Sequence, residues 1–169
     1  MNPIGLGSTR SNINFYIANR PPIDDYPGMN DLRGLAAGEI AHIVKHTSNH
    51  WRKVFNVYAK LLFDWYSLQQ KNGAESWQEY RDVELFQPHS HVALLFSAPR
   101  FDTDNSAIHI IAGKTYAANL DLPPLVWLDA YFAINKEYRV IVAPYPDYRQ
   151  LSNERISQLI EFMGSVLYK

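Results

Sequence analysis

Strands alternating with helices predict an α/β protein, built as a three-layer α/β/α domain around a short, mostly parallel central sheet of about four strands. Three observations carry that expectation. Four apolar or β-branched runs, "INFYIA" (13–18), "HVALLFS" (91–97), "AIHIIAG" (107–113) and "RVIVA" (139–143), have the length and content of strands. The second and third are nearly unbroken, as in strands buried on both faces. Between and after them, apolar residues recur at the spacing of helices that cover such a sheet.

The elements follow in order. "INFYIA" stops at "NRPPIDDYPGMND", where three prolines and a glycine exclude regular structure. From Leu32, the residues Leu32, Leu35, Ala36, Ile40, Ile43 and Val44 predict a first helix, with Asn30 or Asp31 as its cap. Ser48 or Asn49 caps a second, whose stripe runs through Trp51, Val54, Phe55, Tyr58, Leu61, Leu62, Trp65 and Leu68 to "QQKNG". "ESWQEYRDVELF" reads as a short helix or an irregular cover. "KTYAANL" reads as the first turns of a helix. "LVWLDAYFAI" is expected to be helix rather than strand. Ile156, Leu159, Ile160, Met163 and Leu167 share one face of a last helix.

One connection conflicts with an all-parallel sheet. Residues 98–106, between the second and third strands, are fewer than the roughly dozen that a parallel crossover needs. Either those strands form a hairpin or a strand boundary is misplaced.

Composition narrows the function classes. The 169 residues, 47% hydrophobic and 14% aromatic, suit a single domain spanning 1–169 with a sizeable core. The chain has no cysteine, which removes disulfides, thiolate metal sites and cysteine nucleophiles and fits a reducing cytoplasm. "MNPIGLGSTRSN" lacks the basic and apolar regions of a signal peptide, and no apolar run reaches the roughly 18 residues of a membrane helix, so a cytoplasmic protein is expected. Sixteen basic against 17 acidic residues give a net charge of −1, with no general attraction to phosphate backbones. A local basic patch at Arg20, Arg149 and Arg155 remains compatible with that total.

Motif chemistry is mostly excluded. His42, His46 and His50 stand at i, i+4 and i+8, but eight residues of helix rise about 12 Å, too far for three imidazoles to meet one ion. His89, His91 and His109 read as core or rim histidines. "FDTDN" pairs Asp102 with Asp104 without the glycine and terminal glutamate of a calcium loop. "AGKTY" lacks the first glycine of a phosphate-binding loop, and no G-x-S-x-G or G-x-G-x-x-G occurs. No metal or cofactor is expected.

The strand ends remain. Ligands of open α/β sheets bind beyond the carboxyl ends of the strands. Those ends are Asn19-Arg20-Pro21-Pro22, Ser97-Ala98-Pro99-Arg100, Gly113-Lys114-Thr115-Tyr116 and Pro144-Tyr145-Pro146-Asp147-Tyr148-Arg149. Proline in three of the four limits the entropy lost when these loops order.

In their order, "IANRPP", "IHIIAGKTYA" and "APYPDY" resemble the early, middle and late motif loops of the uracil-DNA glycosylase superfamily. The resemblance implies that fold and a nucleobase or DNA as partner. It also implies a motif-one Asp or Asn that positions water and a motif-two His or Asn that steadies the departing base. Aligned on the prolines, Arg20 stands at the first position with Asn19 before it; Tyr145 stands at the second, and Asp147 at the serine that follows. The expected catalytic set is therefore Asn19 and Asp147 to orient water and Tyr145 to donate to the leaving group. Arg20, Tyr26, Phe101, Lys114, Tyr148 and Arg149 are the expected contacts to base or phosphate. Because Arg20 and Tyr145 depart from the motifs, base binding without catalysis belongs to the same expectation. The alternative is a non-catalytic interaction protein on this scaffold that self-associates through its aromatic surface.

Overall fold

In a computed structural model, which describes residues 2–102 and 106–167, one mixed sheet organises the chain. Its strands are β1 (Gly5–Gly7), β2 (Ile13–Tyr16), β3 (Leu32–Arg33), β4 (Val92–Leu95), β5 (Ile108–Ala112), β6 (Val126–Trp127), β7 (Ala133–Asn135) and β8 (Val140–Ala143). The helices are α1 (Glu39–His46), α2 (Asn49–Leu68), α3 (Trp77–Val83), α4 (Lys114–Ala118) and α5 (Asn153–Leu167). The strand order is β3-β1-β4-β2-β5-β8-β7-β6.

The centre of the sheet, β4-β2-β5-β8, is parallel throughout and consists of the four apolar runs named above. Short strands extend it on both sides: β1 runs antiparallel to β4, β7 antiparallel to β8, and β6 antiparallel to β7. The protein is thus α/β with a mostly parallel sheet, of eight strands rather than about four.

Side chains alternate across the sheet with period two. Phe15 points to one face, where it stacks on Tyr58 of α2 at 4.0 Å and meets Phe86 edge-on, in a core closed by α1, α2, α3 and α5. Its neighbour Tyr16 points to the other face with Ala93, Leu95, Ile111 and Val142. That second layer is thin. It is made of α4 and of single residues such as Phe101, Leu120, Leu122 and Leu125. Phe15 is completely buried, so truncating it to alanine would cost about 3–5 kcal/mol.

One alternative left open by the sequence resolves in favour of a misplaced boundary, and two expectations are corrected. The strands flanking 98–106 form no hairpin: β4 and β5 both pair parallel to β2, which lies between them. Both strands are shorter than their apolar runs, so the crossover spans Phe96 to Ala107 and has the length it needs. Of the paired carboxylates, Asp102 is exposed and Asp104 lies outside the described residues.

The first helix does not begin at Leu32. Leu32 and Arg33 pair with Gly5 and Leu6, the Asp31 carbonyl accepts from Gly5 N, and Leu35 N donates to Phe86 O. These long-range bonds override the helical spacing, and α1 starts at Glu39 after Gly38 at φ 82°.

The "LVWLDAYFAI" segment is a strand hairpin, not a helix. Asp129 Oδ1 accepts from Tyr131 N at 2.7 Å and Phe132 N at 2.8 Å, which turns the chain so that Leu128 N reaches Phe132 O. "ESWQEYRDVELF", left open by its sequence, is helical as α3, because Ser76 Oγ accepts from Glu79 N at its start.

Candidate functional site at the strand ends

The loops after β2, β5 and β8 enclose a cleft of about 670 Å³ at the carboxyl ends of the parallel strands. Its position follows from connectivity. The chain leaves β2 toward β4 on one side, and leaves β5 toward β8 on the other. The crevice between β2 and β5 is therefore the switch point at which such sheets hold ligands. Ala18 and Asn19 come from the first loop, Gly113, Lys114 and Thr115 from the second, and Pro144, Tyr145, Arg149 and Gln150 from the third. Gly113 has φ 93°, a conformation that lets the chain turn directly from β5 into α4.

Tyr145 stands at the centre of a hydrogen-bonded chain. Asn19 Nδ2 donates to its hydroxyl at 3.3 Å, and His50 Nε2 lies 2.6 Å from the same oxygen. When the Tyr145 proton points to His50, that imidazole is neutral and carries its own proton on Nδ1; when His50 Nε2 carries a proton, the phenol oxygen accepts it. Burial favours that neutral form. It holds the His50 pKa below its ordinary value, an effect that Lys53 reinforces and the Asp147 charge opposes. Burial likewise pushes the Tyr145 phenol up to about 12, with the Asn19 hydrogen bond opposing and Asp147 adding to the rise. Tyr145 therefore remains a proton donor at neutral pH.

Of the residues singled out in the sequence, Asn19, Tyr145, Lys114 and Arg149 line this one cleft. Asp147 borders it, but its carboxylate is engaged. Oδ1 accepts from Arg149 N and Gln150 N, and Oδ2 from Gln150 Nε2, so the side chain closes the turn that presents Tyr145.

The remaining four lie elsewhere. Arg20 donates from one guanidinium nitrogen to the carbonyls of Tyr26, Pro27 and Met29, and its guanidinium stands 5.5 Å from the Phe96 ring centroid, which ties the first loop down. Tyr26 is buried, with its hydroxyl on Glu39 Oε2. Phe101 packs edge-on against His109 on the second face of the sheet. Tyr148 faces the α2 side, where its hydroxyl accepts from Asn56 Nδ2 and Lys60 Nζ stands 5.0 Å from its ring.

The cleft carries cations and no carboxylate among the described residues that line it. Lys114 Nζ lies 5.4 Å from the Trp127 ring centroid, and the Arg155 guanidinium lies 3.6 Å from that of Tyr131. Arg155 also donates to the carbonyls of Arg149 and Gln150. A family model described as a family of unknown function (DUF6942) matches residues 4–164. The chain belongs to the DUF6942 family. No curated protein and no solved structure matches it.

Sequence reasoning missed two features of this DUF6942 site. His50 was grouped with His42 and His46, although it sits in the first turn of α2. Because α2 follows α1 rather than a strand, nothing in the sequence spacing joins His50 to Tyr145. Tyr131 and Arg155 were missed as a pair because one belongs to the misread hairpin and the other to α5, and nothing in their spacing joins them. The His42 ring stands beside that of His46 and its Nε2 lies 2.8 Å from Asp24 Oδ2, away from the cleft residues.

Proposed function

We propose that this protein binds a nucleobase, alone or exposed on a nucleic acid, in the cleft at the strand ends, on a scaffold resembling that of uracil-DNA glycosylases. The observation that carries the reading is the Asn19–Tyr145–His50 chain, which joins the loops after β2 and β8 at the position where the resemblance puts its two motifs. Tyr116, Tyr131 and Tyr145 offer ring faces or edges to a planar ligand, and Lys114, Arg149 and Arg155 suit the phosphate of a nucleotide.

Binding without hydrolysis is the better-supported form. No carboxylate stands among the described residues that line the cleft, and that of Asp147, in the loop after β8, is occupied by three N–H donors. Asn19 could still orient a water, and Tyr145 could donate to a departing base once His50 took up a proton. The test is to incubate the protein with uracil-containing and uracil-free oligonucleotides, single- and double-stranded, and measure binding by fluorescence anisotropy and abasic sites by alkaline cleavage. Salt-sensitive binding without abasic sites is expected. Abasic sites would assign hydrolysis instead, and no binding at low salt would sink the proposal.

A second reading, self-association, has its own support. Val126 is 64% exposed, Trp127 47%, and Leu128 and Tyr131 43% each, all in the hairpin at the sheet edge. Sedimentation equilibrium of the wild type and Trp127→Lys separates this reading from the first.

A further inference from the structure

A second cavity, of about 500 Å³, opens at the opposite, amino-terminal ends of the strands, between the end of α2, α3 and the starts of β2 and β5. None of the residues discussed for the strand-end cleft lines it. Its distinguishing feature is Tyr80 of α3, a residue only 4% exposed whose hydroxyl has no hydrogen-bond partner among the described residues. Buried hydroxyls are nearly always satisfied, so a covered, unpartnered hydroxyl at the wall of a cavity is a group that an entering ligand can pair with.

The neighbours indicate the chemistry. Glu84 follows Tyr80 by four residues, with Glu84 N bonded to Tyr80 O, and both side chains line the cavity. One Glu84 oxygen lies 3.0 Å from His89 Nε2, which leaves the other to accept. Burial, then Tyr66, then the Glu84 charge raise the Tyr80 phenol well above its ordinary value, so it stays a donor. Trp65, Tyr66 and Ile13 supply ring and aliphatic walls.

We propose that this cavity is a second binding site, for a small, flat, neutral molecule carrying a cyclic amide or ureido group. Its carbonyl accepts from the Tyr80 hydroxyl and its N–H donates to Glu84. A simple amine has no acceptor for the phenol.

The probe is 2-pyridone, an aromatic lactam, titrated into the full-length protein by calorimetry, with N-methyl-2-pyridone as the analogue that lacks the donor. Saturable binding is expected for 2-pyridone, weakened at least about tenfold by N-methylation. Tyr80→Phe and Glu84→Gln are each expected to weaken it by a similar factor. Tyr80→Phe removes an unbonded oxygen and keeps the ring, so its melting temperature should equal or exceed that of the wild type. Leu128→Ser, at an exposed residue that lines neither cavity, should leave 2-pyridone affinity unchanged. Absence of saturation up to about 10 mM would overturn the proposal, as would unaltered affinity in both Tyr80→Phe and Glu84→Gln.

Discussion

The Tyr145 hydroxyl lies 2.6 Å from His50 Nε2, although the two residues are 95 positions apart in sequence. Their rings are nearly parallel, 15° apart, with centroids 5.4 Å from each other. The loop after β8 and helix α2 thus meet in one hydrogen bond at the mouth of the sheet.

That arrangement makes His50 a reporter of the cleft. Its NMR titration midpoint should lie below the ordinary value of about 6.5. Lys53→Met should move the midpoint up, because Lys53 opposes the charged imidazole, and Asp147→Asn should move it further down, because Asp147 favours it. Shifts of the opposite sign in both variants would show that the charges act on His50 differently.

Acid should weaken the fold through a different histidine. His109 is 4% exposed on β5, its Nδ1 lies 2.7 Å from the Tyr16 hydroxyl, and burial, helped by Arg139, lowers its pKa to about 4. Above pH about 6.5 the folded and unfolded chains both hold it neutral. Between that pH and about 4 only the unfolded chain takes the proton, so stability falls as the pH falls, by about 3 kcal/mol in all. Urea titrations at steps across that range should show the loss, and His109→Gln should flatten it.

Cations on the cleft should act on nucleic acid mainly through charge. Neither Lys114 nor Arg149 forms an ion pair among the described residues. Lys114→Met and Arg149→Met should each weaken oligonucleotide binding in anisotropy and reduce the slope of log affinity against log salt by about one. An unchanged slope in both would place the phosphates elsewhere.

Gly5 tests the sheet's outer half. A Cβ added there would stand 2.1 Å from the Leu94 carbonyl oxygen and 2.8 Å from Leu95 Cα, both backbone atoms of the facing strand. Gly5→Ala should therefore force β1 and β4 apart and lower stability by about 1–3 kcal/mol or more, read as a lower urea midpoint. Gly28→Ala, with no atom within 4 Å of the added carbon, is the control.

The parallel heart of the sheet was legible in the sequence because strands buried on both faces are apolar along most of their length, as "HVALLFS" and "AIHIIAG" are. The outer strands were not. β1 is Gly-Leu-Gly and β3 only Leu-Arg, and each exists by pairing with residues distant in sequence. Spacing misled at Leu32 and at Leu125–Ile134, where a backbone ladder and an Asp129 turn outweigh local periodicity. The site divides along the same line. Strand-end position identified Asn19, Tyr145, Lys114 and Arg149 as neighbours of one cleft. It could not show that Arg20 and Asp147 spend their polar atoms on their own loops, since only coordinates reveal which bonds are already made.

The exposed edge of the sheet has a dynamic consequence. One wall of the cleft, Ala130 and Tyr131, belongs to the β6–β7 hairpin, whose β7 arm is anchored in the core by Phe132 and Ile134 but whose exposed edge strand β6 is held to β7 by only two residue pairs. Local opening starts where few apolar contacts must be broken. Hydrogen exchange should be fastest at this flap and slowest at β2 and β5, so the aperture of the cleft can change while its floor stays fixed.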